Sequence, residues 1–158
     1  MAYLRQSGLD RHIREWATGG KLLLGICLGT QIIFAHSEED DTDCLGLVPG
    51  FVRRFPPPLT ACGRLLKVPH MGWNEVAFRP HPLFANLPAG AQFYFVHSYY
   101  PVPQEESWIV GETDYGIRFC AALAHGNIVA VQFHPEKSGR LGLAILENFC
   151  RWDGSNAE

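Results

Sequence analysis

Apolar and polar residues along the first part of the chain are spaced so as to predict alternating helices and strands. Residues 3–17 carry apolar side chains at helical spacing, which predicts an amphipathic helix. The run Leu22–Ile26 is wholly apolar, as in a strand covered on both faces in a parallel sheet. A glycine-flanked turn follows, and a second helix is predicted over Gln31–Ala35. Strand, turn and helix in this order are typical of an α/β fold.

The rest of the chain predicts mostly strands, closed by one helix. Residues 45–60 mix short strand-like pieces with Gly50 and three consecutive prolines, so we expect an irregular surface segment there. The segment His125-Gly126-Asn127 is a plausible turn between two apolar runs, which predicts a hairpin. Strands are predicted at Phe93–Tyr100, Ser107–Thr113, Phe119–Ala124 and Ile128–Phe133, and a final helix from Gly139 to Trp152.

Length and charge narrow the class of protein. The chain has 158 residues, a typical length for one domain, so we expect a single α/β domain over residues 1–158. Thirteen basic and sixteen acidic side chains leave a formal net charge of −3. This balance argues against nucleic acid or an anionic membrane surface as the main partner.

The sequence also predicts a cytoplasmic protein. No apolar run reaches the roughly 18 residues that a membrane span needs. Arg5, Arg11 and Arg14 lie where the apolar part of a secretory signal would have to be. The five cysteines are odd in number and form no Cys-x-x-Cys pair, so we expect free thiols in a reducing compartment and no metal site.

The strongest chemical signal is the segment Gly25-Ile26-Cys27-Leu28-Gly29. A nucleophile between two glycines, on a sharp turn from strand to helix, is held in an exposed and strained position. The N-terminus of the following helix is expected to lower the pKa of the Cys27 thiol. The backbone N–H of Leu28 is a natural donor to an oxyanion. The alternative is a buried cysteine in a glycine-rich turn.

A base for such a nucleophile follows the last apolar strand, in Val131-Gln132-Phe133-His134-Pro135-Glu136. Active sites of α/β folds gather at the ends of strands. His134 can accept the thiol proton and return it to a leaving amine, while Glu136 can orient the imidazole. The six other histidines have no comparable partner in the sequence.

Together the segments GICLGTQ and VQFHPEKS resemble the class I (triad) glutamine amidotransferases. Three further stretches narrow this resemblance to the glutaminase subunits of imidazole glycerol phosphate synthase, from histidine biosynthesis. The resemblance implies a three-layer fold with a central mixed sheet flanked by helices. It spans residues 1–152 and rests on the stretches Lys67–Asn74, Phe93–Tyr100 and Glu136–Ser138, together with Leu45–Gly50.

The resemblance implies a role for each of several residues. Cys27 would be the nucleophile, His134 the acid and base, and Glu136 its orienting partner. Glutamine would be held by Leu28, Gln31, Ser98 and Tyr99. The chain would form a heterodimer with a (β/α)₈-barrel cyclase, and the ammonia released would pass to this partner. No cofactor and no metal are expected. The positions that would face this cyclase are Met71, Trp73, Tyr94 and Lys137.

The sequence departs from the family in one respect. Family members begin with a strand and a helix, followed by a Pro-Gly-Val-Gly-like segment that supplies a second oxyanion N–H. No such segment occurs here, so we expect a fold that lacks the N-terminal strand and helix. Either Met1 is an internal start in a longer reading frame, or the chain is a shortened member of the family. Loss of one oxyanion donor typically costs about 10²–10³ in rate.

Three functions therefore stay open at the level of sequence. The first is a glutamine-hydrolysing subunit that works with a cyclase, which the complete set of Cys27, His134 and Glu136 supports. The second is a catalytically impaired chain that only binds the cyclase, which the absent oxyanion segment suggests. The third is a stand-alone cysteine γ-glutamyl hydrolase, which would leave Lys67–Asn74 and Phe93–Tyr100 unexplained.

Overall fold

The structure, a computed structural model, describes residues 1–155; residues 156–158 of the predicted domain lie outside the described residues. The helices are α1 (Ala2–Ser7), α2 (Leu9–Thr18), α3 (Leu28–Ile32) and α4 (Gly139–Arg151). The strands are β1 (Leu23–Ile26), β2 (His36–Ser37), β3 (Thr42–Asp43), β4 (Gly50–Arg54), β5 (Thr60–Ala61), β6 (Arg64–Leu65), β7 (His70–Glu75), β8 (Ala77–Phe78), β9 (Gln92–His97), β10 (Tyr99–Pro103), β11 (Ile109–Asp114), β12 (Arg118–His125) and β13 (Ile128–Val131).

A five-stranded sheet forms the centre of the fold, in the order β1-β13-β12-β11-β8. Strand β1 runs parallel to β13, from the pair Leu23 and Ile128 to the pair Ile26 and Val131. The other neighbours are antiparallel. The predicted mixed sheet is therefore confirmed, and the chain ends of β1 and β13 point the same way.

Alternation along β13 divides the core between the two faces of this sheet. Val129 and Val131 are buried with Ile145 of α4 in one cluster. Ile128 and Ala130 are buried with other residues in a second cluster, which includes Ala17 at the end of α2. Side chains two apart along a strand share a face, so helices cover both sides of the sheet. This is the layered α/β arrangement that the resemblance implied.

The predicted C-terminal elements are confirmed. Strands β12 and β13 form an antiparallel hairpin in which His125 pairs with Ile128 across the turn. The amide of Asn127 in this turn donates hydrogen bonds to the carbonyls of Ala17 and Lys21, which ties the hairpin to the end of α2. Helix α4 begins at Gly139, as predicted, and ends one residue early, at Arg151.

The first helix was predicted wrongly in two ways. Gly8 adopts a left-handed conformation with φ 73° and splits the segment into α1 and α2. Its predicted apolar face is largely uncovered, since Leu9 is 43% and Trp16 49% exposed. No helix within residues 1–155 is long and apolar enough to cross a membrane.

Strand β1 also differs from its prediction. It pairs with β13 on one side and lies at the edge of the central sheet, so its side chains are mostly half-buried instead of covered on both faces. The helix after it, α3, begins at Leu28, directly after Cys27, and not at Gln31 as predicted.

Residues 93–100 were predicted as one strand, but the chain changes sheet at Ser98. Strand β9 pairs with β7, whereas β10 pairs with β4 in a separate sheet of order β10-β4-β2-β3. Strand β4 lies inside residues 45–60, which were expected to be irregular. Pairing with β10 across the fold supplies the hydrogen bonds that local proline content argued against.

Candidate active site

Cys27 lies on the sharp turn between β1 and α3. Its backbone has φ 50° and ψ −103°, a conformation that a residue with a side chain rarely adopts. The backbone N–H of Cys27 donates to the carbonyl of Val131 at 2.8 Å, which continues the parallel pairing of β1 and β13. The central sheet therefore holds the strained residue in place, as expected for a nucleophile elbow.

Close backbone contacts explain the first glycine of this turn. A Cβ on Gly25 would lie 3.0 Å from the Cβ of Ala130 and 3.0 Å from the backbone of Gly29. The buried hydroxyl of Thr30 closes the turn by donating to the carbonyls of Val131 (2.5 Å) and Gly25 (3.2 Å). Sequence reasoning missed this role of Thr30, although the residue lies inside the motif.

The structure brings His134 and Glu136 together beyond the end of β13. The Nδ1 atom of His134 lies 2.6 Å from Oε1 of Glu136. The backbone N–H of His134 donates to Tyr94, and its carbonyl accepts from the Ser138 hydroxyl. Among the described residues, Nε2 of His134 is buried and has no hydrogen-bond partner. The Glu136 carboxylate thus holds one ring nitrogen, and the other has no hydrogen-bond partner within residues 1–155.

The pKa of the Cys27 thiol corrects one prediction. Burial raises this pKa above its ordinary value, and the negative charge of Glu136 raises it further. The hydrogen bond from the Leu28 backbone N–H, the positive charge of Lys137 and the Gln132 amide act in the opposite direction without outweighing burial. The expected lowering was wrong, because α3 is one short helix and desolvation of the thiolate is the larger effect.

A pocket of about 250 Å³ opens beside Cys27. All four residues predicted to bind glutamine lie in its wall. Ser98 lies at the break between β9 and β10, where the chain changes sheet. The pocket is lined by Cys27, Leu28, Gln31, Glu39, Pro69, Val96, His97, Ser98 and Tyr99.

Two glutamine side chains connect this pocket to the nucleophile. The Nε2 of Gln31 donates to the carbonyl of Tyr99 at 3.1 Å and to Oε1 of Gln132 at 3.0 Å. Gln132 is fully buried, and its Nε2 lies 3.7 Å from the Cys27 sulfur. Sequence reasoning missed Gln132, although its position two residues before His134, on a buried strand end, was a usable signal.

Glu39 was also missed, because the acidic segment that contains it is typical of a solvated loop. Glu39 is the first residue of a short 3₁₀ turn, residues 39–41, that follows β2. This turn is tied to His36, whose ring lies 3.2 Å from the carboxylates of both Asp41 and Asp43. Glu39 therefore brings a negative charge to the wall of the pocket.

The prediction that no other histidine has a comparable partner was wrong for His36, which lies beside two carboxylates, and it missed the buried pair of His70 and His97. Nδ1 of His70 lies 3.1 Å from Nε2 of His97, and Nδ1 of His97 lies 2.6 Å from the carbonyl of Tyr99. Burial lowers the pKa of His70 to about 3 and that of His97 to about 4. The partners lie 27 residues apart in sequence and meet through the pairing of β7 and β9.

The four residues predicted to face a cyclase lie on β7, on its neighbour β9 and on the short turn after β13. Met71 and Trp73 on β7 are 62% and 56% exposed, so they are not part of the core. Tyr94 pairs with Trp73 across β7 and β9, with ring centroids 6.2 Å apart. Lys137 is exposed, and its charge acts on Cys27.

Comparison with known proteins decides the family. The family described as "Glutamine amidotransferase class-I" matches residues 5–152. The chain belongs to this family. It shares 50% identity over 156 residues with "Imidazole glycerol phosphate synthase subunit HisH" of Chromobacterium violaceum, covering 98% of this chain and 73% of that protein. The HisH subunit of Moorella thermoacetica is 52% identical over 94% of this chain and 69% of its own length.

A solved structure agrees with the fold of this class I glutamine amidotransferase. A glutamine amidotransferase of Thermotoga maritima superposes with a TM-score of 0.63 at 18% identity. The match covers 95% of this chain and 56% of that structure. The chain therefore spans somewhat more than half the length of this structural neighbour, and about seven tenths of its HisH relatives. The predicted fold class is confirmed, and the chain belongs to a family of enzymes.

Proposed function

We propose that this chain hydrolyses glutamine to glutamate and ammonia through Cys27, His134 and Glu136, as the glutaminase subunit of an imidazole glycerol phosphate synthase. The observation that carries the proposal is the state of the His134 ring. Its Nε2 is buried and has no hydrogen-bond partner among the described residues, and its Nδ1 lies 2.6 Å from Glu136. A histidine in this state can take one proton and give it back. The HisH names of relatives with about 50% identity support the same conclusion.

The reaction begins with a protonated thiol, because burial raises the Cys27 pKa. His134 removes the proton as the sulfur attacks the side-chain carbonyl carbon of glutamine, and the Leu28 N–H stabilises the oxyanion. The imidazolium, stabilised by Glu136, then protonates the departing nitrogen as its C–N bond breaks. The nitrogen leaves as ammonia, and the γ-glutamyl group stays bound to Cys27 as a thioester. Water, activated by His134, cleaves the thioester to release glutamate and restore the thiol.

The pocket carries groups that suit the α-amino and carboxylate ends of glutamine. The Glu39 carboxylate is complementary to an ammonium group. Gln31 uses its amide hydrogens on Tyr99 and Gln132, so its carbonyl oxygen is the atom left to accept from that ammonium. The backbone between Ser98 and Tyr99, at the break of β9 and β10, would hold the carboxylate.

We further propose that the ammonia passes to a (β/α)₈-barrel cyclase that packs against Met71, Trp73, Tyr94 and Lys137. Two large apolar side chains exposed beside the pocket favour a protein partner at this face. The cyclase would use the ammonia to form imidazole glycerol phosphate and an aminoimidazole carboxamide ribonucleotide. The free thiols of the described chain fit a cytoplasmic location, where residues 1–158 would act as one domain.

The test is glutamate release from glutamine by the chain mixed with a barrel cyclase and its nucleotide ligand. Replacing Cys27 by alanine removes the attacking atom, so turnover should fall to background. Cys62→Ala is the matched control, because Cys62 is exposed and outside the pocket. Glutamate release that survives Cys27→Ala, or that is absent from the unmodified complex, would contradict the proposal.

A further inference from the structure

The buried imidazoles of His70, at the start of β7, and His97, in the wall of the pocket beside Cys27, form a pair that links the strand to the pocket. His70 is 2% and His97 5% exposed. The ring of His70 lies between Phe95 and Tyr115, with centroids 4.7 and 4.0 Å away and interplanar angles of 24°. Neither ring is part of the proposed proton transfer, and apolar packing alone would not require two polar side chains here.

The hydrogen bonds of this pair have only one consistent direction. The carbonyl of Tyr99 can only accept, so Nδ1 of His97 carries the hydrogen that it donates at 2.6 Å. Both rings are neutral at pH 7, because burial lowers the pKa of each. The bare Nε2 of His97 must then accept from Nδ1 of His70 at 3.1 Å.

The same reasoning fixes the outer end of the chain of bonds. The bare Nε2 of His70 lies 3.4 Å from Nδ2 of Asn74. The amide orientation of Asn74 is set independently, since its Nδ2 donates to the Asp114 carbonyl and its oxygen accepts from the Glu75 N–H. A directional series thus runs from Asn74 through both histidines to Tyr99.

The inner end reaches the reacting sulfur. The Tyr99 carbonyl that accepts from His97 also accepts from Gln31, and Gln31 donates to Gln132. Gln132 in turn lies 3.7 Å from the Cys27 sulfur. The Tyr99 carbonyl therefore accepts from two donors, which fix its position more tightly than one donor would.

We propose that His70 and His97 are positioning residues, which hold the Tyr99 carbonyl and through it the Gln31 amide where glutamine binds. The proposal rests on the proposed function, because it concerns the pocket that would take glutamine. It also gives β7, the strand with Met71 and Trp73, a polar connection to that pocket. Neither histidine touches the reacting atoms.

The first test needs no variant and no activity. Imidazole nitrogen shifts, measured by NMR on the whole chain at pH 7, distinguish a nitrogen that carries hydrogen from a bare one. Both rings are expected to carry hydrogen on Nδ1 and none on Nε2. Hydrogen on Nε2 of His97 would overturn the proposal, because the bond to Tyr99 would then not exist.

The second test removes the donor and keeps the ring. His97→Phe should shift the side-chain amide signals of Gln31 and raise the KM for glutamine about five- to tenfold, with kcat within about twofold. His97→Asn, whose amide can donate near the place of Nδ1, should restore both. His125→Phe is the matched control, since His125 packs on Trp108 at the far hairpin.

The outcomes separate positioning from simple support of the core. Equal effects of His97→Phe and His97→Asn, or Gln31 signals that do not move in His97→Phe, would overturn the proposal. If His97→Phe does not fold, His70→Phe takes its place and is expected to move the same signals less. If the complex releases no glutamate, the proposed function fails, while the tautomers and the Gln31 signals still decide this inference.

Discussion

His134 and His97 lie close enough for the charge of one to act on the other, yet their surroundings give the two imidazoles opposite properties. His134 has a carboxylate at one nitrogen and, within residues 1–155, no hydrogen-bond partner at the other. His97 has both nitrogens occupied, by His70 and Tyr99, and aromatic rings around it. A carboxylate and an open nitrogen suit a histidine that moves protons, whereas two neutral partners suit one that stays fixed.

Removing the open histidine is expected to have the largest effect. His134→Ala should lower glutamate release by the cyclase complex about a thousandfold, because the thiol then has no base and the leaving nitrogen no acid. The chain should still fold, since the bond between Ser138 and Tyr94 does not involve the imidazole. Steady-state assay beside circular dichroism checks this. A fall of less than tenfold would mean that another group carries the proton.

The buried pair of His70 and His97 should make the free energy of unfolding fall at low pH. Since the pKa values of His70 and His97 are lower in the folded than in the unfolded chain, unfolding takes up protons. Their contribution is therefore complete above about pH 6.5 and is lost as the pH falls toward 4, by roughly 2 kcal/mol for each histidine between pH 7 and 5. Urea unfolding at several pH values measures it.

The variants already named sharpen that measurement. His97→Phe should lose its own share of the pH dependence, while His125→Phe should keep the whole of it. A stability that is the same at pH 7 and pH 5 in the unmodified chain would show that the two buried rings do not stay neutral on folding.

The smallest effect concerns the Cys27 thiol. Lys137 lowers the Cys27 pKa by its charge, so Lys137→Gln should raise this pKa and slow alkylation by iodoacetamide about twofold at pH 8. Mass spectrometry of the modified Cys27 peptide follows the rate. Arg140→Gln, which removes an exposed charge of the same sign, should leave it unchanged. Faster alkylation of Lys137→Gln would reverse the assigned sign.

Much of the candidate site could be predicted because its signals are local in sequence. The turn at Cys27 needs Gly25, whose missing Cβ leaves room for Ala130 and Gly29, and such a need is visible in the sequence. His134 and Glu136 lie two residues apart, so their contact requires only a strand end. The hairpin of β12 and β13 was predictable for the same reason.

Other features could not be predicted, because they depend on which strands become neighbours. Alternation in residues 93–100 is the same whether one strand or two are present, so the break at Ser98 is invisible without knowing that β9 and β10 join different sheets. His70 and His97 meet only through the register of β7 and β9. The direction of the Cys27 pKa depends on burial, which short motifs do not encode.

The parallel pairing of β1 with β13 has a consequence for how the chain folds. Leu23 pairs with Ile128, so the two halves of the proposed catalytic site join through a contact that closes the whole segment between these residues into one loop. Parallel strands so far apart in sequence pair slowly, because the entropy of closing the loop is lost before the contacts that compensate for it form. On the ribosome, Cys27 would be synthesised well before β13, so its thiol would have no base until His134 follows.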